Sequence, residues 1–292
     1  MPELPEVETI ARGLARRYPG KTMAGVRVKH ADVLVQPLTP ASLSRRVRDR
    51  RVERIGRFGK NVLIELEGEL RLLANMGMTG RLVAADAPAA ADFRHVAVAF
   101  TFRDAPDMLF DDMRRFGRIE LHVAKSWVAR AAEIGPDPFD ARLDGGALHA
   151  LTRKSITPIR NWLLDQRRIA GVGNIYASEA LHRAGIHPAR RARTLTRLEA
   201  GALLDELRFV LQAAIDARGT TMSDYRDAEG EAGDYWDQRL AYAREDEPCT
   251  RCGTPIRRVV ISNRSAFFCP SCQPRSARAA AARRHAGPDV RG

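Results

Sequence analysis

The chain has 292 residues, enough for about two domains of ordinary size, and 45% of them are hydrophobic, which can fill a sizeable core. Lysine and arginine number 48 against 36 acidic residues, and the formal net charge of +12 favours a polyanionic partner, nucleic acid first and an anionic membrane surface second. The apolar runs fall far short of the roughly 20 residues that span a bilayer, no charged-then-apolar leader opens the chain, and four cysteines are too few for a disulfide scaffold. We therefore expect a soluble intracellular protein.

The first elements in chain order are a helix and a series of short strands. Residues 1–20 predict a helix with Pro5 in its first turn and apolar residues at helical spacing. From residue 21 to residue 123, short β-rich stretches separated by Gly, Pro and Asp predict an antiparallel sandwich or barrel. The alanine-rich residues 84–92 predict a flexible hairpin loop.

The second half of the chain is predicted to be helical. The breaker cluster at residues 135–138 predicts a hinge between two domains. Thr196 and Glu199 have capping-box spacing before an apolar stripe that runs from Leu203 to Ile215. The polar residues 220–242 predict a loop that becomes ordered on binding, and the Ala/Arg-rich residues 276–292 predict a disordered basic tail.

Four cysteines form the sharpest pattern in the sequence. Cys249 and Cys252, then 16 residues, then Cys269 and Cys272 form two CxxC pairs that can supply four thiolates to a tetrahedral Zn²⁺ with no open position. Two disulfides or four unrelated thiols are the alternatives. The intervening segment predicts a basic β-hairpin, which leaves DNA, RNA and protein open as partners.

The amino terminus can supply a nucleophile. If the initiator Met is removed, Pro2 presents a secondary α-amine that is neutral far more often at physiological pH than a lysine amine. Such an amine can form a cationic iminium with a carbon electrophile. Glu3 and Glu6 lie close enough in sequence to transfer protons, although acidic residues near a helix amino terminus also simply favour its dipole.

Further motifs occur in one order along residues 2–274. After Pro-Glu-Leu-Pro-Glu-Val-Glu-Thr at positions 2–9 come Gly59-Lys60, Gly77-Met78-Thr79-Gly80, Arg114-Arg115-Phe116-Gly117, Gly171-Val-Gly-Asn-Ile-Tyr-Ala177 and the cysteine finger with Asn263-Arg264 before Cys269. In this order the set resembles the formamidopyrimidine-DNA glycosylase family of base-excision repair enzymes, which remove oxidised purines.

The resemblance implies an α+β fold of two domains. The first is an N-terminal antiparallel β-sandwich flanked by helices, and the second is a helix–two-turn–helix module with a four-Cys zinc-finger β-hairpin. We place the catalytic domain at residues 1–132, the linker at 133–149, the DNA-binding domain with its lesion loop at 150–240, the zinc finger at 241–275 and the tail at 276–292.

The resemblance also implies the cofactor, the partner and the place of action. We expect one structural zinc and no redox or nucleotide cofactor. The protein is expected to act as a monomer on damaged double-stranded DNA, without a membrane, in the cytoplasm and at the nucleoid if it is bacterial.

The catalytic roles that the resemblance implies centre on the amino terminus. Pro2 attacks the deoxyribose C1′, Glu3 protonates the sugar ring oxygen, and Glu6 is a supporting carboxylate. Lys60 transfers protons during strand cleavage and contacts a phosphate, unless it is only a surface cation. Arg264 grips phosphates and assists the final elimination. The activity implied is that of a glycosylase and apurinic/apyrimidinic lyase, which excises 8-oxoguanine and formamidopyrimidines and nicks the strand by β,δ-elimination.

Three residues are implied to fill the gap that a flipped nucleotide leaves, namely Met78, Arg114 and Phe116. A thioether, a guanidinium and a ring can each stack in place of a base. Core packing is the alternative for Met78 and Phe116.

The second domain is implied to hold the DNA backbone. Asn174 hydrogen-bonds a phosphate, helped by exposed amides of the loop at 171–173, with a helix N-cap as an alternative or additional role. Lys154 and Arg153 are further phosphate candidates, and the loop at 220–235 is implied to fold over the extruded base.

Several positions depart from the family pattern. Asn75-Met76 stands where His-Leu is frequent, Met113 stands where Pro is common, and Phe93-Arg94-His95 replaces His-x-His. These departures, with the additional basic tail, leave the substrate range and some backbone contacts open.

Two other functions compete with this interpretation. An endonuclease VIII-type enzyme for oxidised pyrimidines shares the fold and the nucleophile, but Leu4 and the Arg-Arg-Phe loop favour the purine enzyme. A non-catalytic zinc-ribbon DNA-binding protein accounts for the charge and the cysteines, but not for Pro2, Glu3 and Lys60 occurring together.

Overall fold

The structure, a computed structural model, describes residues 2–221, 231 and 233–275. The chain divides into two units, the first made of Met1–Ile134 and Ala213–Asp237 and the second of Gly135–Gln212 and Gln238–Gly292. This grouping of Ala213–Asp237 differs from the five-part division, which assigns these residues to the helical domain. The finer boundaries of that division stay a prediction.

The first unit contains eight strands and three helices among its described residues, together with the beginning of the loop after the last long helix. Its elements are α1 (Leu4–Ala15), β1 (Met23–Val28), α2 (Pro40–Val47), β2 (Val52–Phe58), β3 (Asn61–Leu66), β4 (Leu70–Asn75), β5 (Arg81–Ala84), β6 (Val96–Phe102), β7 (Met108–Asp111), β8 (Arg118–His122) and α3 (Ala124–Ala132), with short 3-10 helices at Ala31–Val33 and Pro88–Asp92.

The strands form two antiparallel sheets, with orders β1-β6-β7-β5 and β2-β3-β4-β8. Val62, Ile64 and Leu72 of one sheet and Val98 and Phe100 of the other are buried in one hydrophobic core. The helical spacing of Val7, Ile10 and Leu14 on α1 places these side chains in the same core. The predicted sandwich is confirmed.

The hairpin predicted for residues 84–92 is wrong. The flanking strands β5 and β6 do not pair with each other, because each pairs with β7. Residues Pro88–Asp92 instead form a 3-10 helix, whose Ala89 packs with Val83 and Phe93 in a small separate cluster.

The second unit contains a helix–two-turn–helix module and a hairpin. Its elements are α4 (Gly145–Arg153), α5 (Ile159–Leu164), α6 (Asn174–Arg183), α7 (Arg197–Asp216), whose last residues belong to the first unit, and strands β9 (Arg257–Ile261) and β10 (Arg264–Phe268). The predicted capping box begins α7, because the Thr196 N–H donates to the Glu199 carboxylate (2.9 Å) and the Glu199 N–H donates to Thr196 Oγ1 (3.1 Å). Within the described residues, none of the helices has both the length and the apolarity needed to cross a membrane.

A buried carboxylate joins α6 to the segment that leads into the hairpin. Glu179 has no exposed surface and accepts the backbone N–H groups of Leu240 (2.7 Å), Ala241 (3.0 Å) and Tyr242 (2.7 Å). Burial raises the pKa of the Glu179 carboxyl, and the three backbone donors oppose that shift. One side chain therefore supplies the acceptors for three consecutive residues.

Replacing Glu179 by alanine leaves three backbone donors without their acceptor, and we expect the free energy of unfolding to fall by roughly 3 kcal/mol or more. Amide hydrogen exchange of residues 240–242 should accelerate. Glu179→Gln, which keeps the shape and one acceptor oxygen, should show a smaller effect. Unchanged protection of these amides in the alanine variant would contradict the assignment.

Candidate functional site

The amino-terminal residues form a buried group at the start of α1. Pro2 is buried, and Glu3 and Glu6 are 4% and 2% exposed. The Glu3 N–H donates to Glu6 Oε2 (2.8 Å), and the Thr220 N–H donates to Glu6 Oε1 (2.8 Å). Both Glu6 oxygens thus accept main-chain donors, one from the helix N-cap and one from the residue that begins the predicted lesion loop.

The two carboxylates occupy different positions in the cap of α1. Glu6 lies at the third helical position and caps the amino end of α1, whereas the sequence indicated only that its charge favours the helix dipole. The contact with Thr220 adds a tertiary role that a local motif does not reveal. Glu3, the N-cap residue of α1, lies next to Pro2 in sequence.

Lys60 occupies a two-residue turn between β2 and β3. Gly59 has φ of 60°, and Phe58 pairs with Asn61 across the turn, as expected for a tight hairpin with glycine at its first central position. The Asn75 side-chain amide donates to the Lys60 carbonyl (3.1 Å), and Asn75 Oδ1 accepts the Gly77 N–H (3.0 Å). Asn75, a departure from the family pattern, thus joins the lysine turn to the methionine loop.

One buried aspartate organises the two loops that are predicted to probe DNA. Asp112 has no exposed surface, and its carboxylate accepts Thr79 Oγ1–H (2.6 Å) and the backbone N–H groups of Arg114 (3.3 Å) and Gly117 (2.7 Å). Gly77 has φ of 57°, and a Cβ there would lie 2.6 Å from Gly117 N. The loops at 77–80 and 114–117 are therefore in direct contact.

The side chains that these loops carry are exposed. Met78 and Phe116 are 47% and 50% exposed, so core packing is wrong as an account of either residue. The Arg114 guanidinium lies 4.8 Å from the centre of the Phe116 ring. The structure thus brings two of the three predicted gap-filling residues into contact and presents the third on the adjoining loop.

The other departures occupy different environments. Phe93 is buried and lies under the Arg81 guanidinium, 4.4 Å from its ring centre, so it packs in the protein instead of reaching outward. Met76 is 1% exposed, whereas Met113 is 58% exposed beside the arginine loop.

In the second unit, a buried arginine connects α5, α6 and the hairpin. Arg160 is 1% exposed, and its guanidinium donates to Asn174 Oδ1 (2.5 Å) and to the Ser265 carbonyl (2.9 Å). Asn174 Nδ2 donates to the same carbonyl (3.1 Å). Asn174 is therefore bonded to the residue that follows Arg264, and Arg264 is exposed at the start of β10.

Two details of the predicted phosphate loop are wrong. The N-cap of α6 is Gly173, and Asn174 is the first helical residue, so Asn174 does not cap the helix. Gly171 is buried and its N–H donates to Gln166 Oε1 (2.8 Å), so this amide is not exposed. Gln166 also donates to the Val172 carbonyl (2.9 Å) and thereby shapes the loop.

Lys154 and Arg153 lie at the carboxyl end of α4, and both are exposed. Within the described part of the chain, neither side chain makes a hydrogen bond or an ion pair. No contact unites them with Asn174 or Arg264 among those residues. Most of the loop at 220–235 and the whole tail at 276–292, about which predictions were made, lie outside the described residues.

The four cysteine sulfurs converge at one point. They all lie within 4.8 Å of one another, and the distances include 3.5 Å for Cys252 to Cys269 and 4.0 Å for Cys249 to Cys272. A disulfide needs about 2.05 Å, and all four cysteines are free, so the disulfide alternative is wrong. Tetrahedral zinc with Zn–S bonds near 2.3 Å places its sulfurs about 3.8 Å apart, which these positions fit.

The environment of the thiols also fits a cation. Burial and neighbouring thiols raise the pKa of Cys272, and burial raises that of Cys269, whereas the pKa of Cys252 falls to about 6 because hydrogen bonds from Thr254 outweigh its burial. Four thiolates at this spacing therefore require a positive charge among them. His182 of α6 places Nε2 3.5 Å from Cys249 Sγ, and burial with nearby arginines lowers its pKa to about 4, so a neutral imidazole faces the sulfur.

Sequence reasoning missed Asp112, Arg160 and His182, and it gave Thr220 only as the first residue of the predicted lesion loop. Each acts on a segment distant in sequence or in a neighbouring loop. The adjacent pair Asp111-Asp112 before the arginine loop is the only local signal among them.

Comparison with known proteins supports both units. The family model for the formamidopyrimidine-DNA glycosylase N-terminal domain matches residues 1–119, that for its H2TH domain matches 134–226, and that for the zinc finger found in FPG and IleRS matches 246–275. A formamidopyrimidine-DNA glycosylase of Chloroflexus aggregans is 42% identical over 274 residues, which cover 94% of this chain and 98% of the relative.

Solved structures agree with this result. MutM in complex with DNA containing carbocyclic 8-oxo-G has a TM-score of 0.83 and 30% identity, covering 94% of this chain and 100% of its own. A mutant of the Lactococcus lactis FPG in complex with Fapy-dG containing DNA has a TM-score of 0.84 at the same identity and coverage. With three domain matches in order and a relative this similar over nearly its full length, the chain belongs to the formamidopyrimidine-DNA glycosylase family.

Proposed function

We propose that this enzyme is a bifunctional DNA glycosylase and apurinic/apyrimidinic lyase that removes 8-oxoguanine and formamidopyrimidines from double-stranded DNA. The observation that carries the proposal is the buried group of Pro2, Glu3 and Glu6 at the start of α1. The neighbours that are bound to 8-oxo-G and Fapy-dG DNA support the substrate class. The curated relatives carry the purine enzyme's name, which disfavours the pyrimidine enzyme and the non-catalytic alternative.

Base excision begins at the Pro2 amine once Met1 has been removed. The amine attacks the deoxyribose C1′, the bond from C1′ to the damaged base breaks, and Glu3 gives a proton to the ring oxygen as the sugar opens. The resulting iminium withdraws electrons, so loss of a proton from C2′ expels the 3′-phosphate by β-elimination and loss of a second sugar proton expels the 5′-phosphate by δ-elimination. Hydrolysis of the iminium then frees the Pro2 amine. The two Glu6 carboxylate oxygens accept the N–H groups of Glu3 and Thr220 and so hold the main chain beside the Pro2 nucleophile.

The loops beside the turn that carries Lys60 are proposed to enter the base stack from which the damaged nucleotide has been flipped out. Met78, Arg114 and Phe116 are proposed to fill the gap left by the flipped nucleotide, with the guanidinium and ring already in contact. Lys60 transfers protons during elimination and contacts a phosphate. Asn75 joins the turn of Lys60 to the loop of Met78, and Asp112 joins that loop to the loop of Arg114 and Phe116.

The second unit is proposed to bind the DNA backbone through Asn174 and Arg264, with Lys154 as a weaker phosphate contact. A structural zinc on Cys249, Cys252, Cys269 and Cys272 would hold the hairpin that carries Arg264. We propose that the protein works as a monomer on damaged DNA in the cytoplasm, at the nucleoid in a bacterium, without a small-molecule cofactor.

Borohydride trapping tests the proposal directly. Three duplexes are compared, which carry 8-oxoguanine, an oxidised pyrimidine or an abasic site. We expect a covalent adduct with the 8-oxoguanine duplex and with the abasic duplex. Pro2→Gly should reduce the adduct strongly, and protein that retains an amino-terminal extension should give none because its amine is blocked. Adducts with the pyrimidine lesion alone would favour the endonuclease VIII-type enzyme, and binding without any adduct would leave a non-catalytic DNA-binding protein.

Glu3→Gln should lower excision of an intact damaged base by roughly 100-fold or more, because a general acid is lost, while cleavage at an existing abasic site persists. Glu6→Gln, the matched change, keeps only one carbonyl acceptor for two N–H groups and should impair both reactions together. Single-turnover rates on the two duplexes separate these outcomes. Equal survival of both activities in Glu3→Gln would refute its role as the acid.

Metal analysis should find one zinc per chain. Cys269→Ser should lose the metal and weaken binding to an abasic duplex by at least about tenfold, because the hairpin loses its fixed form. Thr250→Ala, an exposed non-ligand in the same finger, is the control and should keep both. Native mass spectrometry and fluorescence anisotropy measure the two quantities, and tight binding by the metal-free variant would contradict this role.

A further inference from the structure

A cavity of about 600 Å³ lies in the first unit, where the end of α2 meets the turn between β3 and β4. Its charged lining consists of Arg45, Arg46, Arg48, Arg50 and Asp49. The sole acid of this lining already pairs with Arg103. The cavity is therefore strongly cationic.

The four arginines differ from most others of the same unit. None has a carboxylate within ion-pair distance in the described parts of the chain. Elsewhere in the unit, many arginines lie within 3 Å of a carboxylate oxygen, among them Arg17, Arg27, Arg54, Arg57, Arg81 and Arg130. The basic charge of the cavity is not neutralised by the protein itself.

The main chain that carries these arginines is fixed. Asp49 has φ of 63°, its N–H donates to the Met23 carbonyl (2.8 Å), and the Met23 N–H donates to the Arg50 carbonyl (2.9 Å). A Cβ at Gly68 would lie 2.8 Å from Arg50 Nη1, so the guanidinium rests against the turn. The dipole of α2 favours cations in its last turn, but it does not account for Arg48 and Arg50 beyond that turn.

The cavity is separate from the site described above. Across β3 and β4, Asn61 pairs with Asn75 at the end that carries the lysine turn and the methionine loop, whereas Leu66 pairs with Leu70 at the end beside the cavity. Five residue steps along a strand span about 17 Å. The two cationic regions thus lie at opposite ends of the same strands.

Guanidinium groups suit phosphate because their paired N–H donors match two of its oxygens. Glu67 and Glu69 flank Gly68 in the chain but do not belong to the lining. We propose that this cavity is a second anion-binding site, which takes backbone phosphates of a DNA segment other than the one that carries the lesion. Holding a second segment lets the enzyme pass directly from one stretch of DNA to another during its search. The proposal rests on the proposed function only in taking DNA as the polyanion.

The test compares two double variants that each remove two positive charges from the first unit. Arg46→Ala with Arg48→Ala alters the cavity, and Arg27→Ala with Arg54→Ala removes exposed arginines that pair with carboxylates. Dissociation of a labelled undamaged duplex is followed by stopped flow at rising concentrations of unlabelled duplex. Wild type and the control should dissociate faster as competitor rises, and the cavity variant should lose most of this dependence, with about tenfold weaker binding of a second duplex at low salt.

Several outcomes would overturn the proposal. One is equal competitor dependence in the cavity variant and wild type, and another is an equal loss in both double variants. Tight binding of inorganic pyrophosphate that depends on Arg46 and Arg48, without a second duplex, would assign the cavity to a small anion. Borohydride trapping on a short 8-oxoguanine duplex should be equal in all three proteins. If wild type gave no trapped adduct while its dissociation still depended on competitor, the proposed function would be rejected and the second anion-binding site would be retained.

Discussion

The first unit depends on the hydrogen bonds that the buried Glu6 carboxyl group accepts. A buried carboxyl group needs hydrogen-bond donors for its oxygens, and here they are the N–H groups of Glu3 and of Thr220, which lies 214 residues after Glu6 in the chain. The position of the amino terminus is thereby defined by main-chain groups from two distant segments. Pro2 is held in place by the cap of the helix that follows it.

Buried polar side chains perform the same task elsewhere. Asp112 joins two loops, Arg160 joins two helices to the hairpin, and Glu179 joins α6 to the segment before that hairpin. In each case one ionisable group satisfies main-chain donors or acceptors that no helix or sheet would otherwise satisfy. The exposed residues proposed to contact DNA therefore stand on rigid loops, which is what recognition of a distorted duplex requires.

Features with a local physical signal were predictable from the sequence. Helical spacing identified α1 and α7, β-rich stretches separated by Gly, Pro and Asp identified the strands, and paired CxxC spacing identified the cluster of sulfurs, because each depends on residues close together in the chain. The resemblance to a family supplied the arrangement of the domains. Contacts without a recognisable sequence motif were not predictable. They are the strand order that makes residues 84–92 a crossover, the hydrogen bond that the Gly171 N–H donates to Gln166 Oε1 five residues away, and the contact between Glu6 and Thr220.

The contact between Gly77 and Gly117 has a mechanical consequence. Any side chain at position 77 would strike the main chain of the facing loop, and the shared Asp112 carboxylate links the same two loops from beneath. Met78 and Arg114 are therefore carried on two loops that are joined to each other, and a displacement of either loop is transmitted to the other. A substitution that displaces one loop therefore also displaces the side chains of the other, so the two loops have to be changed together.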